Sequence, residues 1–191
     1  MNNRRPCVFF DRDGIVNVSP GDGYVESPAG FRLQEGFVQA LRAVRHGGFA
    51  AVVVTNQQGI GKGLITEADL DRIHAKMHAG LGERGLKLDA VYHCPHLAGT
   101  CFCRKPLPGL LLRAARELQL DLSRSWMVGD KESDVDAGRA AGCRTVRIGV
   151  PDTTRADFRL PEIGLLADFF RERLKGPCPR ATEGAEKPVD S

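Results

Sequence analysis

The sequence predicts an α/β fold in which a parallel sheet is covered by helices on both faces. Apolar runs of strand length alternate with segments of helical period, the pattern of a sheet built from strand–helix–strand units. The clearest run, FAAVVV at residues 49–54, is uninterrupted and rich in β-branched residues, as a strand covered on both sides requires. With 191 residues, 42% of them hydrophobic and 27% charged, the chain can bury a full core in one ordinary domain.

In chain order, CVFF at residues 7–10 reads as a short buried strand. Residues 37–46 set Val38, Leu41 and Val44 at helical spacing and stop at Gly47-Gly48. After the strand at 49–54, residues 57–63 (QQGIGKG) read as a flexible glycine-rich loop without the spacing of a nucleotide-binding loop. A helix follows Thr66, whose hydroxyl can cap it while Asp69 answers three residues later. A third strand is expected at 88–92. Residues 108–120 form a helix with Leu111, Leu112, Ala115 and Leu118 inward. Two short strands at 125–128 and 145–148 flank a Gly/Ala-rich helix at 133–141, and an amphipathic helix covers 163–174. The domain is expected to span residues 1–175. The tail at 176–191 has Pro, Gly and charge without periodicity and reads as disordered.

Composition excludes several classes. The formal charge of +3 is too small and too scattered for a nucleic-acid protein, although it suits a small anionic ligand. No segment approaches the roughly 18 consecutive apolar residues of a membrane span. The N-terminus lacks the pattern of a signal peptide, so a cytoplasmic location is expected. Six cysteines in such a chain do not imply disulfides.

The candidate chemical residues fall just after the strands, where ligands bind in sheets of this kind. Asp11 and Asp13 follow the first strand in FFDRDG. Two carboxylates on one short loop can act as nucleophile and general acid/base and can together hold a hard cation, although Asp and Gly also favour an ordinary turn. Thr55 and Asn56 end the second strand and can donate to a phosphoryl oxygen. Lys105, in CRKP just before a helix, could neutralise charge in phosphoryl transfer. Asp130 follows the strand ending in MVG and could complete a magnesium site. Asp134 either supports that site from one contact away or supplies favourable charge at a helix start.

Cys94, His96, Cys101 and Cys103 form C-x-H-x4-C-x-C. Three thiolates and an imidazole within ten residues fill a closed tetrahedral zinc site, which makes the expected zinc structural. It would pin the loop that carries Arg104 and Lys105.

Taken together, DxDG, a strand ending in Thr, then Lys, then GDxxxD resemble the haloacid dehalogenase-like superfamily of phosphohydrolases from Val8 to about Gly149. The resemblance implies a Rossmann-like domain with a minimal cap, Asp11 as nucleophile and Asp13 as acid/base. It also implies Thr55 and Lys105 on the phosphoryl group, and Mg²⁺ held by Asp11, Asp130 and the backbone carbonyl of Asp13. Within the superfamily, a zinc loop ending in CRKP resembles a subgroup of heptose-bisphosphate and histidinol-phosphate phosphatases. DRDGIVN, TNQQGIGKG, CRKPLPG and MVGDKESD are more similar to the heptose branch. That similarity implies substrate contacts from Ser19, Asp22, Tyr24, Thr55, Asn56, Gln57, Gln58, Arg104, Lys105 and Lys131. The expected ligand is a small phosphorylated sugar, bound by a monomer with an open site. Histidinol phosphate stays open as substrate. A phospho-receiver signalling domain and a zinc-ribbon nucleic-acid module are the alternatives from other classes.

Overall fold

The computed structural model describes residues 4–21, 23–151 and 153–174. The tail at 176–191, with Cys178, lies outside them. Six strands form one sheet: β1 (Cys7–Phe10), β2 (Ala50–Asn56), β3 (Ala90–Cys94), β4 (Trp126–Gly129), β5 (Arg144–Ile148) and β6 (Phe158–Leu160). Their order is β3-β2-β1-β4-β5-β6, and every pairing is parallel. This is the doubly wound Rossmann order, in which the chain reverses direction across the sheet between β1 and β4.

The period-2 alternation of β1 divides the core. Val8 and Phe10 face the layer of α1 (Glu35–His46), α3 (Glu67–Gly82) and α6 (Leu166–Arg173), where Phe10 meets Phe37 edge-on at 5.1 Å. Cys7 and Phe9 face α4 (Gly109–Glu117) and α5 (Glu132–Ala140). All four β1 residues are fully buried, which explains why CVFF shows no polar alternation. The capping box at α3 forms as expected: Asp69 N–H donates to Thr66 Oγ1 at 3.1 Å, and Thr66 N–H donates to Asp69 Oδ2 at 2.9 Å.

Four local expectations need correction. At α4, Leu111 is buried and Ala115 and Leu118 pack partly buried against the same cluster as expected, but Leu112 is exposed and Leu110 and Ala114 are buried in its stead. Residues 58–61 are a short helix, α2 (Gln58–Gly61), rather than a flexible loop. Its glycines serve close packing: a Cβ at Gly61 would lie 2.6 Å from the Pro95 carbonyl oxygen, and one at Gly59 3.3 Å from the Tyr24 ring. The last helical segment begins as a 3-10 turn at Ile163–Leu165 before α6. Strand β6 was not foreseen; its three residues are too few to show a period. No helix among the described residues is long and apolar enough to cross a membrane.

Candidate active site

Three adjacent strand ends and one loop build the site. Asp11 leaves β1 with its N–H bonded to the Val128 carbonyl of β4 at 2.9 Å, so the two strand ends are tied where the sheet reverses. Its Oδ1 accepts from Lys105 Nζ at 2.6 Å, leaving Oδ2 without a protein donor among the described residues. Lys105 is buried and also contacts Asp134 Oδ1 at 2.6 Å and the Val54 carbonyl at 2.9 Å. Burial opposes its charge, but Asp11 and Asp134 outweigh burial and hold the lysine above its ordinary range.

The position of Lys105 is fixed by Asn56. The Asn56 amide donates to the Lys105 carbonyl at 3.0 Å and accepts from the Lys105 N–H at 3.1 Å. Asn56 thus reaches the cleft but spends its amide on the lysine backbone. Gln57, expected to touch substrate, is buried and absent from the cleft wall. It turns inward because its amide finds two acceptors there, Thr55 Oγ1 at 2.8 Å and Asp13 Oδ2 at 3.2 Å. The Thr55 hydroxyl accepts that bond, so its own hydrogen is free to donate into the cleft.

Asp13 Oδ1 accepts from Asn17 Nδ2 at 3.0 Å. The loop carrying it is held by the Gln34 amide nitrogen, which reaches the carbonyls of Gly14, Ile15 and Asn17 at 2.9–3.2 Å. Gly14 is required here: its φ is +90°, and a Cβ would sit 2.2 Å from Asp130 Oδ2. Asp130 therefore packs directly on the DxDG loop. Its Oδ1 is buried with no hydrogen-bond partner among the described residues, and burial followed by Asp11 raises its pKa.

Asp134 takes the helix-start position and also pairs with Lys105. It is the N3 residue of α5, accepting from the Lys131 N–H at 3.0 Å, and it is the second carboxylate on Lys105. Burial, with Asp11 and Asp130, pushes its pKa up to about 6 against the pull of Lys105. Asp11, Asp13, Asp130 and Asp134 face two buried cations, Lys105 and Arg12, an excess of negative charge that a divalent cation would offset. The orphaned oxygen of Asp130 and the proximity of Asp11, Asp130 and Asp134 fit such an ion.

Asp11, Asp13, Thr55, Lys105 and Asp134 floor a cleft of about 500 Å³, while Asp130 lies outside its lining. Ser19, Tyr24, Gln58, Arg104 and Lys131 line it, and so do Ser133 and Pro106, which nothing in the sequence singled out as contacts. Asp22 lies outside the described residues. Arg104 donates from Nη2 to Gln58 Oε1 at 3.2 Å, while its buried Nη1 has no partner among them. A larger cavity of about 700 Å³, lined by Arg42, Gly47, Leu86 and Leu174, contains none of these side chains.

Beside the cleft, Cys94, His96, Cys101 and Cys103 converge. Their sulfurs are 3.2–3.5 Å apart, and His96 Nδ1 lies 3.4–3.5 Å from the sulfurs of Cys103 and Cys94. Zinc–sulfur bonds of about 2.3 Å imply tetrahedral edges of roughly 3.8 Å, so the donor set fits zinc after a small expansion. The Cys101 thiol is drawn down to about 7: burial opposes this, but hydrogen bonds from Cys103 and backbone N–H groups prevail.

Strand order and side chains together are those of a haloacid dehalogenase-like phosphohydrolase, and the family model for HAD-hydrolase-like proteins matches residues 102–168. A D-glycero-beta-D-manno-heptose-1,7-bisphosphate 7-phosphatase of Yersinia pestis is 40% identical over 190 residues, covering 92% of this chain and 100% of the relative. The Escherichia coli (strain K12) enzyme of the same name is 39% identical, covering 96% and 97%. Among solved structures, D,D-heptose 1,7-bisphosphate phosphatase from B. bronchiseptica, complexed with magnesium and phosphate, superposes with a TM-score of 0.77 at 33% identity, covering 87% of this chain and 98% of that one. The chain belongs to the heptose-bisphosphate phosphatase family of haloacid dehalogenase-like hydrolases.

Proposed function

We propose that the chain hydrolyses the 7-phosphate of D-glycero-D-manno-heptose 1,7-bisphosphate. The observation that carries the reaction is the Asp11 carboxylate, held through Oδ1 by Lys105 with Oδ2 unpartnered at the floor of the cleft. Asp11 attacks phosphorus in line, the bond from phosphorus to the sugar oxygen breaks, and Asp13 gives a proton to that departing oxygen, which leaves as the sugar hydroxyl. Asp13 then takes a proton from water as that water attacks the aspartyl-phosphate, releasing phosphate and restoring Asp11. Lys105 and the Thr55 hydroxyl stabilise the equatorial oxygens through both steps. Asp11, Asp130 and the Asp13 carbonyl would hold Mg²⁺, which would supply further positive charge to the transferring phosphoryl group.

Arg104 receives the second phosphate. Its unpartnered Nη1 supports this role, because a guanidinium can grip phosphate with two hydrogen bonds. Zinc bound by Cys94, His96, Cys101 and Cys103 holds the loop that presents Arg104 and Lys105. The names of the relatives support the heptose bisphosphate over histidinol phosphate. The test measures phosphate release from both heptose bisphosphate anomers and from histidinol phosphate, side by side, with wild type and Asp11→Asn. Turnover is expected on a heptose anomer and is lost in the variant, which keeps its fold. Preference for histidinol phosphate would overturn the substrate, and an active Asp11→Asn would overturn the mechanism.

A further inference from the structure

Arg12, between the two loop aspartates, is the largest fully buried side chain among the described residues. Isolated charge in a protein interior is expensive, and an arginine cannot escape by deprotonating. Burial does pull its pKa below the ordinary value, against Asp13 and then Asp11. Yet neither its Nε nor its two Nη atoms make a well-directed hydrogen bond among the described residues. Its ion pair is with Asp13, whose Oδ2 is 3.0 Å from Nη2. His74 is near enough to feel its charge, and the His74 Nε2 is also without a partner among the described residues. Burial and then Arg12 press His74 down to about 3, so it stays neutral and adds no second positive charge beside the guanidinium.

We propose that Arg12 is a positioning residue for the proton-transfer step, fixing the Asp13 carboxylate from beneath. This rests on the reading of Asp13 as acid/base. Three groups converge on that carboxylate: Asn17 on Oδ1, and Gln57 and Arg12 on Oδ2. The two amides are neutral, so Arg12 supplies the only charged contact among them. Arg12 does not line the cleft, and it acts on substrate through Asp13 alone. Displacing a reacting group by about 1 Å can cost on the order of 100-fold in rate.

The experiment compares wild type, Arg12→Met, Arg12→Gln and Arg12→Lys, each scaled to the folded fraction from near-ultraviolet circular dichroism, with steady-state kinetics on the heptose bisphosphate. The neutral variants are expected to lose about 30- to 100-fold in kcat at unchanged KM. The lysine variant, which keeps the charge, should recover most of that loss. A folded neutral variant with wild-type kcat overturns the proposal, as does a matching rise in KM or a lysine variant no better than methionine. If both neutral variants lose the native spectrum while lysine keeps wild-type kcat, Arg12 serves the fold and the proposal fails. An inactive wild type would instead overturn the function itself, so the two failures are separate.

Discussion

Replacing Lys105 with methionine removes a charge while nearly preserving volume, so the lost contribution is electrostatic. The ammonium stands 2.6 Å from both Asp11 and Asp134, and its side chain is only 2% exposed. Breaking a buried ion pair from one side costs about 3–5 kcal/mol, and here one cation serves two carboxylates. Asp134 has one escape, which is to bind a proton. Its carboxyl, at about 6, already sits above its ordinary range, so the native state holds more protons than the unfolded chain between about 4 and 6. Its contribution is therefore present in acid and lost as pH rises through that window, and removing Lys105 moves the window upward. The variant should lose about 3–5 kcal/mol at pH 8 and clearly less at pH 5.5, read as urea denaturation in metal-free buffer. Saturating Mg²⁺ should return part of the loss at pH 8. A deficit below about 1 kcal/mol at pH 8, or an equal deficit at both pH values, would refute the view that Lys105 neutralises this cluster.

Gly14→Ala should weaken Mg²⁺ binding and shift the magnesium titration of phosphate release to higher concentration, because the new Cβ meets Asp130 at a backbone angle disfavoured for alanine; an unchanged titration would count against it. Stripping zinc with a chelator should lower the melting temperature and the rate together, and added zinc should restore both; protein purified without bound zinc yet fully active would contradict this. His74, held near 3, takes up a proton only on unfolding as pH falls from about 6.5, so its stabilising contribution is lost in acid. His74→Leu should flatten the stability profile there by roughly 1–2 kcal/mol between pH 6.5 and 5, measured by urea midpoints.

The residues at strand ends were legible because a buried parallel strand is an apolar run, and its first polar residue marks the sheet edge. Asp11, Thr55 and Asp130 all follow from that rule. Gln57 did not, since its direction depends on two acceptors, Thr55 and Asp13, brought together only by tertiary folding. Asp134 was legible as charge at a helix start, but its ion pair with Lys105 joins residues that only the tertiary fold brings together. Arg12 gave no signal: an arginine beside two aspartates looks like a solvated charge until the sheet covers it. Cys94, His96, Cys101 and Cys103 were legible for the opposite reason, since chain spacing alone confines them to one loop.

The tie from the Asp11 amide to the Val128 carbonyl has a consequence for inactivation. Asp11, Thr55 and Asp130 stand at the ends of β1, β2 and β4, three contiguous strands at the centre of the sheet, and Asn56 clasps Lys105 to the same edge. No frayed intermediate can keep half of this machinery aligned. Loss of turnover on heating should therefore trace the cooperative melting of the sheet, with no shoulder of weakened enzyme before it.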